Sequence, residues 1–362
     1  MTSPERVVVI GCGLIGTSVA MAAVRAGDSV TGIESDPVHA RVASERAAIR
    51  VSADEGALAD ATLVVVATPT ASASQRVRHA LDRARGATVT DVASVKASVV
   101  AEVRAALGDD DARSRFVPGH PMGGSERSGP ATASPTLLEG ATWVLSPDAS
   151  TEETRVRHVE GWVRRLGALP VRLSAERHDR LVAFVSHLPQ VASTALMSLA
   201  AEREAGEPDA LLLAAGGFRD LTRLAASNPT LWGEILTSNR DEVVGALDAY
   251  ARAIDALRRS VAAGDRDSIE AAFATGRAAR LALTPKARVR SGVAVLLVPI
   301  PDRPGALAEL TAALRGVNIE DLQIVHSAEG GRGVVHLTVA AEDAVAADAA
   351  LTAAGATPTR IA

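Results

Sequence analysis

The chain has 362 residues, 47% of them hydrophobic and 22% charged, the balance of a globular protein long enough for two or three domains. A formal charge of −5 with 2% aromatic residues supplies neither the basic face nor the stacking platforms that nucleic acid requires. Apolar runs stay short of the roughly 18 residues of a membrane span, the N-terminus lacks a signal-peptide pattern, and the lone Cys12 allows no internal disulfide, so the expectation is a cytoplasmic protein with no membrane partner.

Arg6 to Ile10 reads as a buried strand running directly into Gly11-Cys12-Gly13-Leu14-Ile15-Gly16 and an Ala-rich helical stretch that ends near Gly27. Strand, glycine turn and helix in that order make a dinucleotide site. Gly11 permits the tight turn, Gly13 lets backbone approach a pyrophosphate, and Gly16 lets the helix pack on the strand; the helix N-terminus, with Leu14 and Ile15, faces the phosphates. A second strand, Ser29 to Ile33, ends at Glu34, placed to accept hydrogen bonds from an adenosine ribose and to repel a 2'-phosphate. The expected cofactor is therefore NAD rather than NADP, and Cys12 reads as a small filler of the turn.

The alternation continues with a helix near Pro37 to Ala48, a strand Thr62 to Ala67 closed by Thr68-Pro69, a helix near Ser72 to Arg85 and a strand Ala87 to Thr90. This pattern implies an α/β fold with a parallel, doubly wound sheet of Rossmann type, whose ligands bind beyond the C-terminal strand ends. Three loops lie there: Thr68-Pro69, Asp91 to Lys96, and Gly119-His120-Pro121-Met122-Gly123-Gly124-Ser125-Glu126. The last sets an imidazole and a carboxylate among residues that cannot prolong a helix or strand. An imidazole, with an unperturbed pKa of roughly 6.5, suits removal of a hydroxyl proton. Ser94 is expected to face the same crevice, to N-cap the helix running to Leu107, or both. Lys96 falls in that helix's first turn, where a cation is disfavoured, so a ligand or Asp91 is expected to hold it. Trp143 to Leu145, a helix from about Thr151 to Leu166 and Val171 to Leu173 complete the first domain, residues 1–173.

Residues 174–284 read as an all-helical domain. Leu181 to Leu199 is apolar nearly all round, which implies burial on every side and a homodimer built on this domain. Ser186, His187 and Gln190 stand in it beside Pro189, whose missing amide proton leaves the Val185 carbonyl unpaired and kinks the helix. That combination suits a site, or a core histidine covered by a dimer partner. Gly216-Gly217 precedes Arg219 and Arg223, four residues apart, with Asp220 able to orient one of them; arginine suits two-pronged binding of a carboxylate, and the alternative is a surface salt bridge. Asn228 N-caps the next helix, with Pro229 in its first turn and Trp232 early on it. No metal is expected. His178 and His187, nine apart, fall on opposite faces of a continuous helix, and His39, His79, His158, His326 and His336 have no ligand spacing. Thr284 to Ser291 reads as a linker, and residues 292–362 as a βαββαβ module with a turn at Asp302-Arg303-Pro304-Gly305.

These motifs resemble those of prephenate and arogenate dehydrogenases, the enzymes of tyrosine biosynthesis. The resemblance spans Arg6 to about Arg280 through the glycine turn, Asp91-x-x-Ser94-Val95-Lys96, His120-Pro121-Met122-x-Gly124-x-Glu126, His178-Asp179 leading into Ser186-His187-Leu188-Pro189, and Gly216-Gly217-Phe218-Arg219-Asp220-x-Thr222-Arg223. It implies that His120 is the base toward a ring hydroxyl, that Ser94 holds it and contacts the hydroxyl, and that Arg223 binds a ring carboxylate. Glu126, Ser125, Ser186, His187, Gly216 and Trp232 would line the site. Family members often carry a histidine where this chain has Gln190, so recognition of the substrate side chain is where the sequence departs. The C-terminal module resembles an ACT domain through its turn and Gly316-Val317-Asn318-Ile319, which implies an aromatic amino-acid effector near Gly305, Asn318 and Ile319.

The implied reaction is NAD-dependent oxidative decarboxylation of prephenate to 4-hydroxyphenylpyruvate, or of arogenate to tyrosine. A dehydrogenase of the 3-hydroxyacid type is disfavoured by the histidine loop and the Arg223 motif. A rival of another class is a non-catalytic sensor of NAD and an amino acid.

Overall fold

The computed structural model describes residues 4–123, 128–206, 209, 211–282, 293–326 and 332–360. The chain divides into two compact units, Met1–Ala253 and Ile254–Ala362. In the first, β1 (Arg6–Ile10), β2 (Ser29–Ile33), β3 (Arg50–Ser52), β4 (Leu63–Val66), β5 (Thr88–Asp91) and β6 (Phe116–Val117) form a parallel sheet in the order β3-β2-β1-β4-β5-β6. The order reverses between β1 and β4, the position at which doubly wound sheets bind ligands.

Both faces of this sheet are covered, which is why its central strands read as unbroken apolar runs. Val7, Val9, Leu63 and Val65 enter one core, and Val8, Ile10, Val64 and Val66 the other. Helices α1 (Leu14–Arg25), α2 (Pro37–Ala47), α3 (Thr70–Arg83), α4 (Ala97–Ala106), α5 (Asp110–Ser114) and α6 (Glu153–Arg165) surround it. Val19 and Ala23 of α1 and Val159 and Val163 of α6 close the first core; Val77 and Leu81 of α3 and Val99 and Val103 of α4 close the second.

The segments after β6 do not extend this sheet. Instead β7 (Gly119–Pro121), β8 (Thr142–Leu145) and β9 (Leu169–Arg172) make a separate three-stranded sheet, β7 antiparallel and β9 parallel to β8. His120 pairs in register with Val144. The histidine thus sits on a short strand, although Gly119-His120-Pro121 reads as a segment unable to prolong one; proline is tolerated at a strand's end. Trp143 and Leu145 join the core under α6, with Trp143 and Trp162 edge to face at 5.9 Å, so the two sheets share one interior.

Helix α7 (Ala175–Val182), a π turn (Ala183–His187) and α8 (Leu188–Gly206) follow without a break. The π turn lies directly before Pro189, whose lack of an amide proton interrupts the regular hydrogen-bond ladder. Burial runs along one stripe, through His178, Asp179, Val182, Ala183, His187 and Gln190. Leu181, Phe184, Val185 and Leu199 are 45–63% exposed, so burial on every side does not hold within one chain. By length and composition alone the helical rod Ala175–Gly206 would also suffice to cross a membrane, a test that a core helix passes equally. Its buried His178, Asp179, His187 and Gln190 are hydrogen-bonded within the protein. Then come α9 (Gly216–Thr222), a 3-10 turn (Arg223–Ala226), α10 (Pro229–Ser238) and α11 (Arg240–Ala263), so Arg219 and Arg223 sit on successive elements rather than one helix.

The division between units falls inside α11. The second unit continues with α12 (Arg266–Ala282), β10 (Val293–Pro301), α13 (Ala306–Ala313), β11 (Ile319–His326), β12 (Arg332–Ala340), α14 (Ala344–Ala353) and β13 (Thr359–Arg360). Its antiparallel sheet has the order β11-β12-β10-β13, the expected βαββαβ module. Ala294, Leu296, Val298, Val335, Leu337 and Val339 alternate inward against Leu310, Leu314 and Leu351 of the helices. Gly305, at φ +88°, N-caps α13, and Asn318 precedes β11 and donates to Glu320.

Candidate active site

The glycine turn separates what the fold demands from what a ligand would. Gly11 has φ +89°, and a Cβ there would lie 2.7 Å from the Ala67 carbonyl oxygen; at Gly16 a Cβ would lie 1.9 Å from the Gly11 oxygen. At Gly13 a Cβ would meet nothing within 4 Å, and no side chain caps α1. Open space beside uncapped amides, at the switch point of the sheet, fits a pyrophosphate. Leu14 and Ile15 open α1, and Thr68 and Pro69 follow β4, where the buried Thr68 hydroxyl has no partner among the described residues.

Glu34 is fixed at the end of β2, one carboxylate oxygen accepting from the Cys12 amide at 2.8 Å and the other from the Asp36 amide at 2.9 Å. It borders a cavity of about 560 Å³ that Ser35, Pro37, Arg41, Ser44 and Val51 also line. These residues fit an adenosine. Arg41, which sequence reading passed over, faces the same cavity but is paired with Glu45 at 3.0 Å. Cys12 is buried, and burial pushes its thiol up to about 12, as befits a filler.

On the crevice side His120 is engaged by a partner the sequence reading did not assign. Its Nδ1 lies 2.8 Å from Nε2 of His178, and His178 Nδ1 lies 2.7 Å from Asp179 Oδ1. Asp179 also accepts from the backbone amides of Lys96 and Ala97, each at 2.8 Å. It therefore caps α4 from a helix far along the chain; Ser94 does not, since α4 starts at Ala97. All contacts of the Asp179 carboxylate are with donors, so His178 Nδ1 carries a proton. With His178 neutral, its Nε2 is bare, His120 donates to it through Nδ1, and His120 Nε2 is left with a free lone pair. Burial pushes the His120 pKa well below its ordinary value, and the Lys96 ammonium pushes the same way.

His178 and His187 are both buried, and the Asn239 amide links the Asp179 carbonyl, to which it donates at 2.9 Å, to His187, whose Nδ1 lies 3.3 Å away. The intervening π turn unwinds the helix and brings two residues expected on opposite faces toward one stripe. Trp232 meets the His187 ring edge to face at 5.9 Å. Gln190 is buried with both ends in use: its amide nitrogen donates to the Leu224 carbonyl at 2.7 Å, and its oxygen accepts from Ser227 at 3.3 Å. It thus braces the turn that begins with Arg223. Among the described residues no ion pair engages Arg219, Asp220 or Arg223, so the expected orienting role of Asp220 is not seen, and Arg223 is exposed. Ser94 and Ser186 are half-buried, with no hydrogen bond to His120 among the described residues, and Gly216 opens α9 on the surface. Gly124, Ser125 and Glu126 lie outside the described residues. The missed partners had a signal: an adjacent His-Asp pair is what a distant histidine base needs for orientation.

A doubly wound sheet with a dinucleotide turn, and beside it a buried histidine aimed by a second histidine and a carboxylate, are the features of a dinucleotide-dependent dehydrogenase. Comparison with known proteins narrows the class. Residues 19–171 match the prephenate dehydrogenase nucleotide-binding domain and residues 174–275 its dimerization domain. A prephenate dehydrogenase of Bacillus subtilis (strain 168) is 31% identical over 355 residues, covering 94% of this chain and 93% of that one. The crystal structure of prephenate dehydrogenase from A. aeolicus in complex with hydroxyphenyl propionate and NAD+ superposes with a TM-score of 0.71 at 26% identity, over 78% of this chain and 99% of the other. Synechocystis arogenate dehydrogenase gives 0.66 at 27% identity, over 77% and 100%. The chain belongs to the prephenate dehydrogenase family.

Proposed function

We propose that this chain is an NAD-dependent prephenate dehydrogenase of tyrosine biosynthesis, acting in the cytoplasm and converting prephenate to 4-hydroxyphenylpyruvate and carbon dioxide. The observation that carries the reading is the one-way chain of hydrogen bonds from His120 through His178 to Asp179, which leaves His120 Nε2 as a neutral acceptor. NAD, held by the glycine turn and Glu34, supplies the hydride acceptor. His120 takes the carbinol hydroxyl proton as the carbon gives up its hydride, and Asp179 stabilises the charge that develops along the two imidazoles. Arg223 holds the ring carboxylate in place. As the bond to that carboxylate breaks, its electron pair enters the ring, and the resulting phenolate recovers the proton from His120. Ser94 contacts the hydroxyl, and Ser125, Glu126, Ser186, His187, Gly216 and Trp232 shape the rest of the site.

Gln190 favours a second reading. It is neutral, and its amide is committed to Leu224 and Ser227, so it opposes an amino group on the substrate side chain no more than a keto group. Arogenate is therefore the alternative substrate. The dimerization-domain match and the exposed apolar side chains of the rod support a homodimer. The C-terminal module, as an ACT-like domain, would bind an aromatic amino acid near Gly305, Asn318 and Ile319. NADH absorbance measured in steady state with each substrate tests the reading. Faster turnover of prephenate supports it, faster turnover of arogenate replaces the substrate, and no NADH from either leaves a non-catalytic sensor.

A further inference from the structure

We propose that the buried pair Lys96–Asp91 is a positioning device for His120, gripping from both sides Gly119, the residue that precedes the histidine; this rests on the reading of His120 as the base. Both side chains are fully buried and ion-paired to each other. Lys96 Nζ donates to the Gly119 carbonyl at 2.7 Å, and Asp91 Oδ1 accepts from the Gly119 amide at 3.1 Å. The second oxygen of Asp91 also accepts from the Ala93 amide at 3.0 Å. Gly119 has no slack, since a Cβ on it would lie 2.8–2.9 Å from the Asp91 carbonyl oxygen, Trp143 Nε1 and Thr90 Oγ1.

The backbone of Lys96 completes the device from the other end, donating to the same Asp179 oxygen that orients His178. One residue therefore holds both ends of the path Gly119, His120, His178, Asp179. Stability alone does not call for such a pair, because burying two charges costs desolvation that well-packed apolar side chains of similar volume avoid. Burial lowers the Lys96 pKa and Asp91 opposes that, while both acceptors on Nζ suit the ammonium form. The titratable groups disposed around His120 are Asp91 at the end of β5, Lys96 at the start of α4, and His178, Asp179 and His187 from α7 and the π turn that follows it.

The test compares wild type, Lys96→Met, the charge-free pair Lys96→Met/Asp91→Asn and His120→Asn as full-length proteins, with whichever of prephenate and arogenate is turned over. Lys96→Met is expected to lower kcat about 10- to 100-fold with both KM values within about threefold, because the loss is one of orientation. Its acid limb should move to higher pH as a positive neighbour of His120 disappears. The double variant, which buries no unpaired charge, should recover Tm but not kcat. A double variant that regains kcat together with Tm, or a folded Lys96→Met within about threefold of wild-type kcat, overturns the proposal. Near-normal turnover by His120→Asn removes the base reading itself; loss in His120→Asn beside a normal Lys96→Met removes only this inference.

Discussion

A base is useful only in its neutral form, and at His120 burial and the Lys96 ammonium favour that form. The imidazole is lowered well below its ordinary 6.5, so it takes a proton only when the pH falls under that range. Turnover should accordingly stay level between about pH 6 and 7 and decline only in more acid solution; a break near 6.5 in the kcat profile would contradict the buried environment. His120→Asn should lower kcat by roughly 10² to 10⁴ with little effect on KM, whereas Arg223→Ala should raise KM by about 30-fold or more. The glycines allow a cleaner separation. Gly11→Ala and Gly16→Ala put a Cβ into backbone and should lower Tm, while Gly13→Ala meets only open space and should keep Tm but raise the KM for NAD. A Gly13→Ala enzyme with unchanged KM would move the pyrophosphate elsewhere.

At the scale of elements, helix α7 ends the relay and starts α4 at once, because Asp179 serves both. Asp179→Asn swaps an acceptor for a donor opposite either His178 or the α4 amides. It should lower kcat by roughly 10² to 10⁴ through the wrong His178 tautomer, and cost about 1–2 kcal/mol of stability through the lost cap. Kinetics and urea unfolding of the same variant read the two effects separately; a stability loss with unchanged kcat would leave Asp179 a cap only. The π turn before Pro189 belongs to the same scale. Proline's missing donor is visible in the sequence, but not the way the helix re-phases to bury His178 and His187 together.

For the whole molecule, buried histidines tie stability to pH. Burial lowers the His187 pKa to about 4, partly opposed by Asp179, so folding favours its neutral form. The folded value lies below the unfolded one, so this contribution is complete above about pH 6.5 and is lost as the pH falls toward 4, by about 3 kcal/mol. Tm should drop across that window; a Tm that rises on acidification would show that His187 is not buried. Exposed Leu181, Phe184, Val185 and Leu199 on one rod predict a dimer mass by light scattering at micromolar protein, and Leu199→Glu should weaken it. A monomer of undiminished activity would leave this surface without a purpose.

Local rules were enough to find the parallel strands, the glycine turn, Glu34, the helical region and the βαββαβ module, because each rests on spacing within a few residues. The proposed roles of His120 and Arg223 likewise start from their residue types and their neighbours in the chain. Tertiary structure alone decided that His120 lies on a strand paired with Val144 and that residues 142–172 form a second sheet. It also decided that Asp179, 82 residues beyond Ala97, caps α4 and aims His120 through His178. Proton affinity and tautomer depend on burial and on partners distant in sequence, and no pattern of nearby residues encodes either.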